Sequence, residues 1–597
     1  MRLLVFSNLC QIKIRIKDRE VMKNRLVVVE SPQKRDTLAK LFNKHTKIVL
    51  AEPVQNAGIG EFNFVQNVEE NVYQVLISAV PELVFLAFEP SPWGDALASV
   101  WKQALEEKDI RVNRLRLLQI NKQQVYQAVR QQEPVDYRLT KVQNEKNNFL
   151  NSLSDRLLPS NNKKLPLPLE GLLVLDFLQN NKLSDDKSER AAEWVIELVL
   201  ENNGKTLTAG LESKDGEVLR FKNKEAAKAH IYDLKQKQLR FKNLKTRVSR
   251  EYPEPPFNTF SLLRETAAVL NFTPDRTLKI LRQLYEGIDI GLVFPRGLIT
   301  FYLTDSNRIP ETHVRMIREF VLNHYGVEYV PKKARFRAQD NSPGAVIPAN
   351  ASYAPRHLRK YLTPDQTAVY DLIWSRTIAS QMTESRQQHF DYVFSFNNSR
   401  DNQIAAHKSC RTSRGFYQLL NKEGTADFKK DIEFIPNQII ECRNIHLLKD
   451  LKAEHSINTL ALFFDILDHS RLVTSDEIGF LWESLCHWKL LNVKEQNVTL
   501  TPRARKIIED VKSNSPGLFN TEFVRLVKKE WKKAWMGKKQ LNSVVNDLNK
   551  MINDLSTSGF CPVCGGTIVK DSKGHTVCEH YPVECEYAVK TENYKTN

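Results

Sequence analysis

Four cysteines near the C-terminus carry the plainest chemistry in this chain. Two residues separate Cys561 from Cys564, thirteen separate Cys564 from Cys578, and six separate Cys578 from Cys585. Four thiolates at that spacing suit a tetrahedral zinc ion, and Gly565-Gly566 supplies the tight turn of a zinc knuckle. His575 and His580 stand by as replacement ligands, and Tyr581 and Tyr587 offer rings on which unpaired bases could stack. A second group is acidic. Glu30 closes the apolar run Leu26-Val27-Val28-Val29, Glu89 closes residues 83–88, and Asp95 follows shortly after. Carboxylates at the ends of strands are the hard oxygen ligands that magnesium takes, and Lys34 adds a cation beside the first of them. A third group is basic. Lys235, Lys237, Arg240, Lys242, Lys245, Arg247 and Arg250 fall close together, and Arg525, Lys528, Lys529, Lys532, Lys533, Lys538 and Lys539 form a second cluster. With 87 Lys+Arg against 71 Asp+Glu, the net charge of +16 favours a polyanion such as DNA as partner.

These groups need elements to hold them. Residues 26–29 read as a buried strand; Ser31-Pro32 then gives an N-cap and a first-turn proline for a helix over 33–42. Residues 83–88 read as another strand, with a helix from Ala96. Strands followed by helices, with polar groups where the strands end, predict an open α/β sheet with its site along that edge. Residues 113–120 and a helix over 123–132 continue it, and the Asn-, Lys- and Pro-rich stretch 158–169 reads as a boundary. Strands are expected at 194–200, 206–211 and 218–221, and helices at 226–237, 262–284, 311–324 and 362–382. Beyond 387 the pattern is β-rich, and beyond 443 it turns helical to about 555. Trp531 and Trp535 stand one helical turn apart in the second basic cluster, a spacing that fits a single-strand groove but more often marks core.

No apolar run reaches the ~20 residues of a membrane span, and the opening residues lack a signal-peptide pattern. Residues 1–21 read either as a small extension or as lying before a translation start at Met22, the second being favoured. The remaining cysteines, Cys10, Cys410, Cys442 and Cys486, are scattered, which suits a reducing cytoplasm.

The segment Gly297-Leu298-Ile299-Thr300-Phe301-Tyr302-Leu303-Thr304-Asp305-Ser306 resembles the active-site segment of type IA DNA topoisomerases, Gly-Leu-Ile-Thr-Tyr-Met-Arg-Thr-Asp-Ser. Pro256-Phe257-Asn258-Thr259-Phe260-Ser261-Leu262, Leu284-Tyr285-Glu286-Gly287-Ile288-Asp289-Ile290, Leu362-Thr363-Pro364-Asp365-Gln366, Leu372-Ile373-Trp374-Ser375-Arg376 and Leu500-Thr501-Pro502 follow the same family in the same order. The resemblance runs from Met22 to the cysteine module. It implies a four-domain torus of a Toprim α/β domain (22–157), a helical gate domain (158–192 and 443–555), a β-rich arch (193–255 and 387–442) and a helical domain that normally bears the nucleophilic tyrosine (256–386), with a C-terminal zinc ribbon (556–597) appended.

The departures fall on the chemistry. The family's nucleophile falls on Phe301, whose ring has no oxygen to attack phosphorus, and its arginine falls on Leu303. The Toprim motif Asp-x-Asp-x-x-Gly-Glu survives only as Glu89, Ser91, Gly94 and Asp95, so Glu30, Glu89 and Asp95 make a weak magnesium set. The family's Gln-Asp-x-His-Glu-Ala-Ile-Arg-Pro appears as residues 339–348 without histidine or arginine. Its Gly-Arg-Val-Gln is missing near Glu170-Gly171-Leu172-Leu173-Val174, and Ser456-Ile457-Asn458-Thr459-Leu460 replaces Gly-Arg-Pro-Ser-Thr. Tyr302, a possible substitute nucleophile, would point to the opposite face in an extended segment.

The resemblance therefore predicts a multidomain α+β protein of the nucleoid-bearing cytoplasm that holds single-stranded or junction DNA without cleaving it. The expected contacts are Lys34, Arg240, Lys242, Lys245, Lys528, Lys532 and Tyr581, with zinc on the four C-terminal cysteines. The alternatives are an active enzyme using Tyr302, and a protein-interaction scaffold.

Overall fold

The structure is a computed structural model and describes residues 25–51, 81–106, 110–157, 169–180, 193–213, 215–338, 344–396, 402–420, 432–450, 459–514, 518–558, 568–570, 576–578 and 588–589. The expected extension at 1–21 and Met22 lie outside the described residues.

The chain enters through Arg25–Val29 (β1), all five residues of which are buried. Pro32–Leu41 (α1) follows, its N-cap Ser31 accepting from the Lys34 N–H. Thr46–Leu50 (β2), Leu83–Leu86 (β3), Pro92–Glu106 (α2), Arg111–Arg114 (β4), Lys122–Gln131 (α3) and Glu133–Pro134 (β5) complete an α/β unit. Its sheet runs β2-β1-β3-β4-β5, parallel except for the short β5. Since β1 and β3 are parallel neighbours, Glu30 and Glu89 emerge side by side at one edge. Helix α2 begins at Pro92 rather than at Ala96, because a proline is at home in a first turn and Ser91 Oγ accepts from the Gly94 N–H at 3.1 Å. A Cβ on Gly94 would lie 2.0 Å from the Glu89 carbonyl oxygen, so this turn admits only glycine.

Arg138–Leu157 (α4) leaves the sheet and joins Leu169–Asn180 (α5) in a large helical core. Next comes a closed barrel in the order β10-β7-β6-β11-β8-β9, formed by Glu193–Asn202 (β6), Lys205–Ser213 (β7), Leu239–Glu251 (β8), Ser385–Phe396 (β9), Asn402–Ser413 (β10) and Ile439–Asp450 (β11). The first basic cluster falls mostly on strand β8, within the stretch expected to be β-rich. Two expectations change here. Residues 218–221 make only two isolated bridges, at Val218 and Phe221. Strand β11 pairs with β6 as far as Asp450, so residues 443–450 belong to the barrel and not to the helical region. Lys224–Lys235 (α6) packs beside it.

Between the two halves of the barrel lies a helical module: Thr259–Leu270 (α7), Pro274–Glu286 (α8), Glu311–Tyr325 (α9) and Pro364–Ser380 (α10). The helical stretch expected over 262–284 divides into two helices, since Asn271 turns left-handed (φ 56°) and Pro274 starts afresh. This module shares one hydrophobic core with the α/β sheet, from Val27 and Phe85 through Leu281 and Leu298 to Ile347. Within the module Gly297 lies close against α8, where a Cβ would meet the Tyr285 carbonyl oxygen at 2.3 Å.

Leu460–Ser470 (α11), Ile478–His487 (α12), Pro502–Asn514 (α13), Thr521–Trp535 (α14) and Leu541–Ser558 (α15) complete the helical core begun by α4 and α5. Trp531 is buried there, edge-on to Phe149 at 5.8 Å, and Trp535 packs on the same core. Three short antiparallel strands, Ile568–Lys570, Thr576–Cys578 and Ala588–Val589, end the described chain. Among the described residues, no helix is long and apolar enough to cross a membrane.

Candidate functional site

The edge where β1 and β3 end faces the module through α8. Gln33 Nε2 donates to the carbonyls of Gln283 (3.0 Å) and Gly287 (2.9 Å), and Ser31 Oγ donates to Glu286 Oε2 at 2.6 Å. These bonds fix α1 against α8. They also bring Glu30, Lys34, Glu89, Glu286, Phe301 and Tyr302 into one largely buried layer, with the exposed Arg282 at its rim.

Three acids at this edge, Glu30, Asp95 and Glu89, have cationic partners, while Glu286 is held by Ser31. Lys34, fully buried, donates to both oxygens of Glu30 at 3.0 and 3.3 Å. Asp95 accepts from Arg114 Nε at 3.2 Å and from Arg116 through both oxygens, at 2.9 and 2.8 Å. Glu89 lies 3.5 Å from an Arg282 amino group. Burial, helped by the Glu30 charge, pushes its carboxyl up to about 7. Burial raises Glu286 as well. The acids are thus not solvated strand ends. Magnesium takes several free hard oxygens in near-octahedral array; here Asp95 is held by two guanidiniums and Glu30 by an ammonium. Arg114 is itself fixed by four backbone carbonyls, those of Leu86, Phe88, Leu115 and Glu89.

Phe301 is anchored by its N–H to the Leu118 carbonyl at 2.9 Å, and its ring lies 5.4 Å from Tyr285 and 5.5 Å from Tyr302. Both rings are buried in the same core, so the expected opposite-face arrangement is not what the fold adopts. The Tyr302 hydroxyl accepts from Arg282 Nε at 3.3 Å. Its pKa is raised, first by burial and then by the Glu89 charge, and only 2% of the residue is exposed. Leu303 packs half-buried where the family has arginine. At the family's other arginine position Ile347 is fully buried, while Gln339–Pro343 lie outside the described residues.

The basic residues separate by environment. Lys242 and Lys245 are exposed on β8, and half-buried Arg240 donates to the Asn437 carbonyl at 3.1 Å. Lys532 is exposed on α14. Lys528 instead turns inward, 2.7 Å from Glu477 and 3.8 Å from Glu170, which spends its charge on the helical core. Cys578 is buried at the end of its strand; Cys561, Cys564, Cys585, Tyr581, His575, His580 and Tyr587 lie outside the described residues. Sequence reasoning missed Arg282, Arg114 and Arg116. None sits in a motif, and each meets its acid only through the fold.

A family model described as DNA topoisomerase matches residues 174–546. The fold is similar to that of full-length topoisomerase I from Thermotoga maritima, with a TM-score of 0.69 and 18% identity over 95% of this chain and 98% of that one.

Proposed function

The chain belongs to the type IA DNA topoisomerase family, and we propose that it keeps that family's hold on DNA while lacking strand cleavage. The observation that carries this reading is the buried phenyl ring of Phe301, which stands where a tyrosine would attack phosphorus. The supporting chemistry departs with it: Lys34 is consumed by Glu30, and the neighbouring acids are closed by Arg114, Arg116 and Arg282. Losing one transition-state donor commonly costs ~10²–10³ in rate. Here nucleophile, cations and metal acids are all altered. The ligand in this reading is single-stranded or junction DNA in the nucleoid-bearing cytoplasm, met on β8 by the exposed Lys242 and Lys245 with half-buried Arg240 beside them, and on α14 by the exposed Lys532, with an accessory or regulatory outcome. A zinc ion on Cys561, Cys564, Cys578 and Cys585 would hold the C-terminal module together.

One observation favours a second reading. The Tyr302 hydroxyl faces Arg282 beside Glu89, so the layer does hold a phenol next to a cation. The same experiment separates the two. Purified protein is incubated with end-labelled single-stranded DNA and magnesium, then run on a denaturing gel beside a native gel shift. Binding without a covalent adduct is expected. An adduct abolished by Tyr302→Phe would replace the first reading with the second. Failure to prefer DNA over an acidic protein would leave a protein-interaction scaffold.

A further inference from the structure

A cavity lies away from the acids, where the α/β unit meets the helical module. It measures about 540 Å³, inside the roughly 300–1,000 Å³ range of small-molecule sites. Its position follows from one backbone pairing. The Gly297 N–H donates to the Ile120 carbonyl at 2.7 Å and the Phe301 N–H to that of Leu118 at 2.9 Å. The cavity opens at the Gly297 end, four residues before Phe301 in the chain.

Its wall has a pronounced composition. Two cations, Lys122 and Arg296, line it, and no Asp or Glu does. Lys122 has no carboxylate partner among the described residues and lies over the Phe294 ring at 4.8 Å. Arg296 donates through one amino group to the Tyr353 hydroxyl at 2.7 Å, while its buried Nε has no hydrogen-bond partner among the described residues. Amide side chains (Gln123, Gln124, Gln127 and Asn350) supply both donors and acceptors around the cations. His313, bonded to Gln119 at 2.5 Å, is pushed down to about 4 by burial and stays neutral at physiological pH.

Two cations without acids select an anion. Two rings and a set of amides select a planar ligand with hydrogen-bonding edges. We propose that this cavity binds a nucleotide, with the phosphate between Lys122 and Arg296 and the base among the amides. The nucleotide is either a free nucleoside monophosphate or the phosphorylated end of a strand. The site is separate from the β8 surface and does not depend on DNA binding there.

The test is calorimetric titration of the full chain with 2′-deoxyadenosine 5′-monophosphate, with deoxyadenosine, and with a 5′-phosphorylated tetranucleotide. Lys122 is exposed, so Lys122→Gln leaves the fold intact; Arg296→Gln is read beside its melting curve. Saturable binding of the monophosphate, weakened about tenfold or more by removing the phosphate or by Lys122→Gln, is expected. The same losses seen with the tetranucleotide alone would assign the pocket to a strand end. Absence of saturation by either phosphorylated probe, or equal affinity in Lys122→Gln, overturns the proposal. A long single strand should bind Lys122→Gln as tightly as the parent, which keeps this outcome distinct from failure of the DNA-binding reading.

Discussion

Arg116 grips both oxygens of Asp95, at 2.9 and 2.8 Å, on the sheet edge where a metal-binding acid would need them free. Arg114 reaches the same carboxylate from the interior and is only 3% exposed. Asp95→Asn therefore strands a buried guanidinium. Removing one partner of such a pair typically costs about 3–5 kcal/mol. A fall of that order in unfolding free energy is expected, read as a lower urea midpoint. An unchanged midpoint would mean that the backbone carbonyls around Arg114 carry its charge unaided.

Restoring the lost phenol should not restore the reaction. Phe301→Tyr places a hydroxyl in a layer whose acids are already paired, with Leu303 still apolar. The expected result is no covalent adduct with single-stranded DNA and some loss of stability from a buried hydroxyl short of partners. Adduct formation by this single variant would show that the site needs only its nucleophile.

Glu89 should make stability depend on pH. Its folded value of about 7 lies above the ordinary 4.5, so the fold favours the protonated form. The stability this contributes is complete below about pH 4.5 and is lost as pH rises through about 7. Glu89→Gln keeps the neutral shape and removes that loss. At pH 8 it should gain on the order of 1–3 kcal/mol over the parent, with no difference at pH 4. Parallel stability profiles for the two proteins would refute the assignment.

On the barrel, Lys242→Gln with Lys245→Gln should weaken single-strand binding at low salt and flatten its salt dependence. Each lost phosphate contact removes about 0.7 from the slope of log K against log salt for single strands, so the pair should remove about 1.4. An unaltered slope would move the DNA surface off β8. Lys528→Gln should instead destabilise the helical core, since its partners are Glu477 and Glu170.

Local signals in the sequence were enough to place Ser31 and Pro32 at the start of α1 and to seat Glu30 at the end of β1. They also exposed the loss at Phe301, because the flanking residues hold the register. What escaped was set by distance along the chain or by the direction a side chain takes. Asp95 meets Arg114 and Arg116 only because β3 and β4 are neighbours, which no local pattern announces. Strand β8 lacks an alternating apolar face over most of its length, so periodicity could not reveal it. Lys528 and Lys532 look alike in a basic run, and only helix packing turns one inward and leaves the other out.

The barrel also sets a timetable for synthesis. Strands β6, β7 and β8 leave the ribosome early, yet β8 closes on β9 only after residues 252–384 have been made. At roughly 5–20 residues per second, that is a wait on the order of ten seconds. During it the long β8 edge, with its amides unpaired, is open to any other strand. Its lysines and arginines, whatever they later bind, repel a second nascent copy throughout that interval.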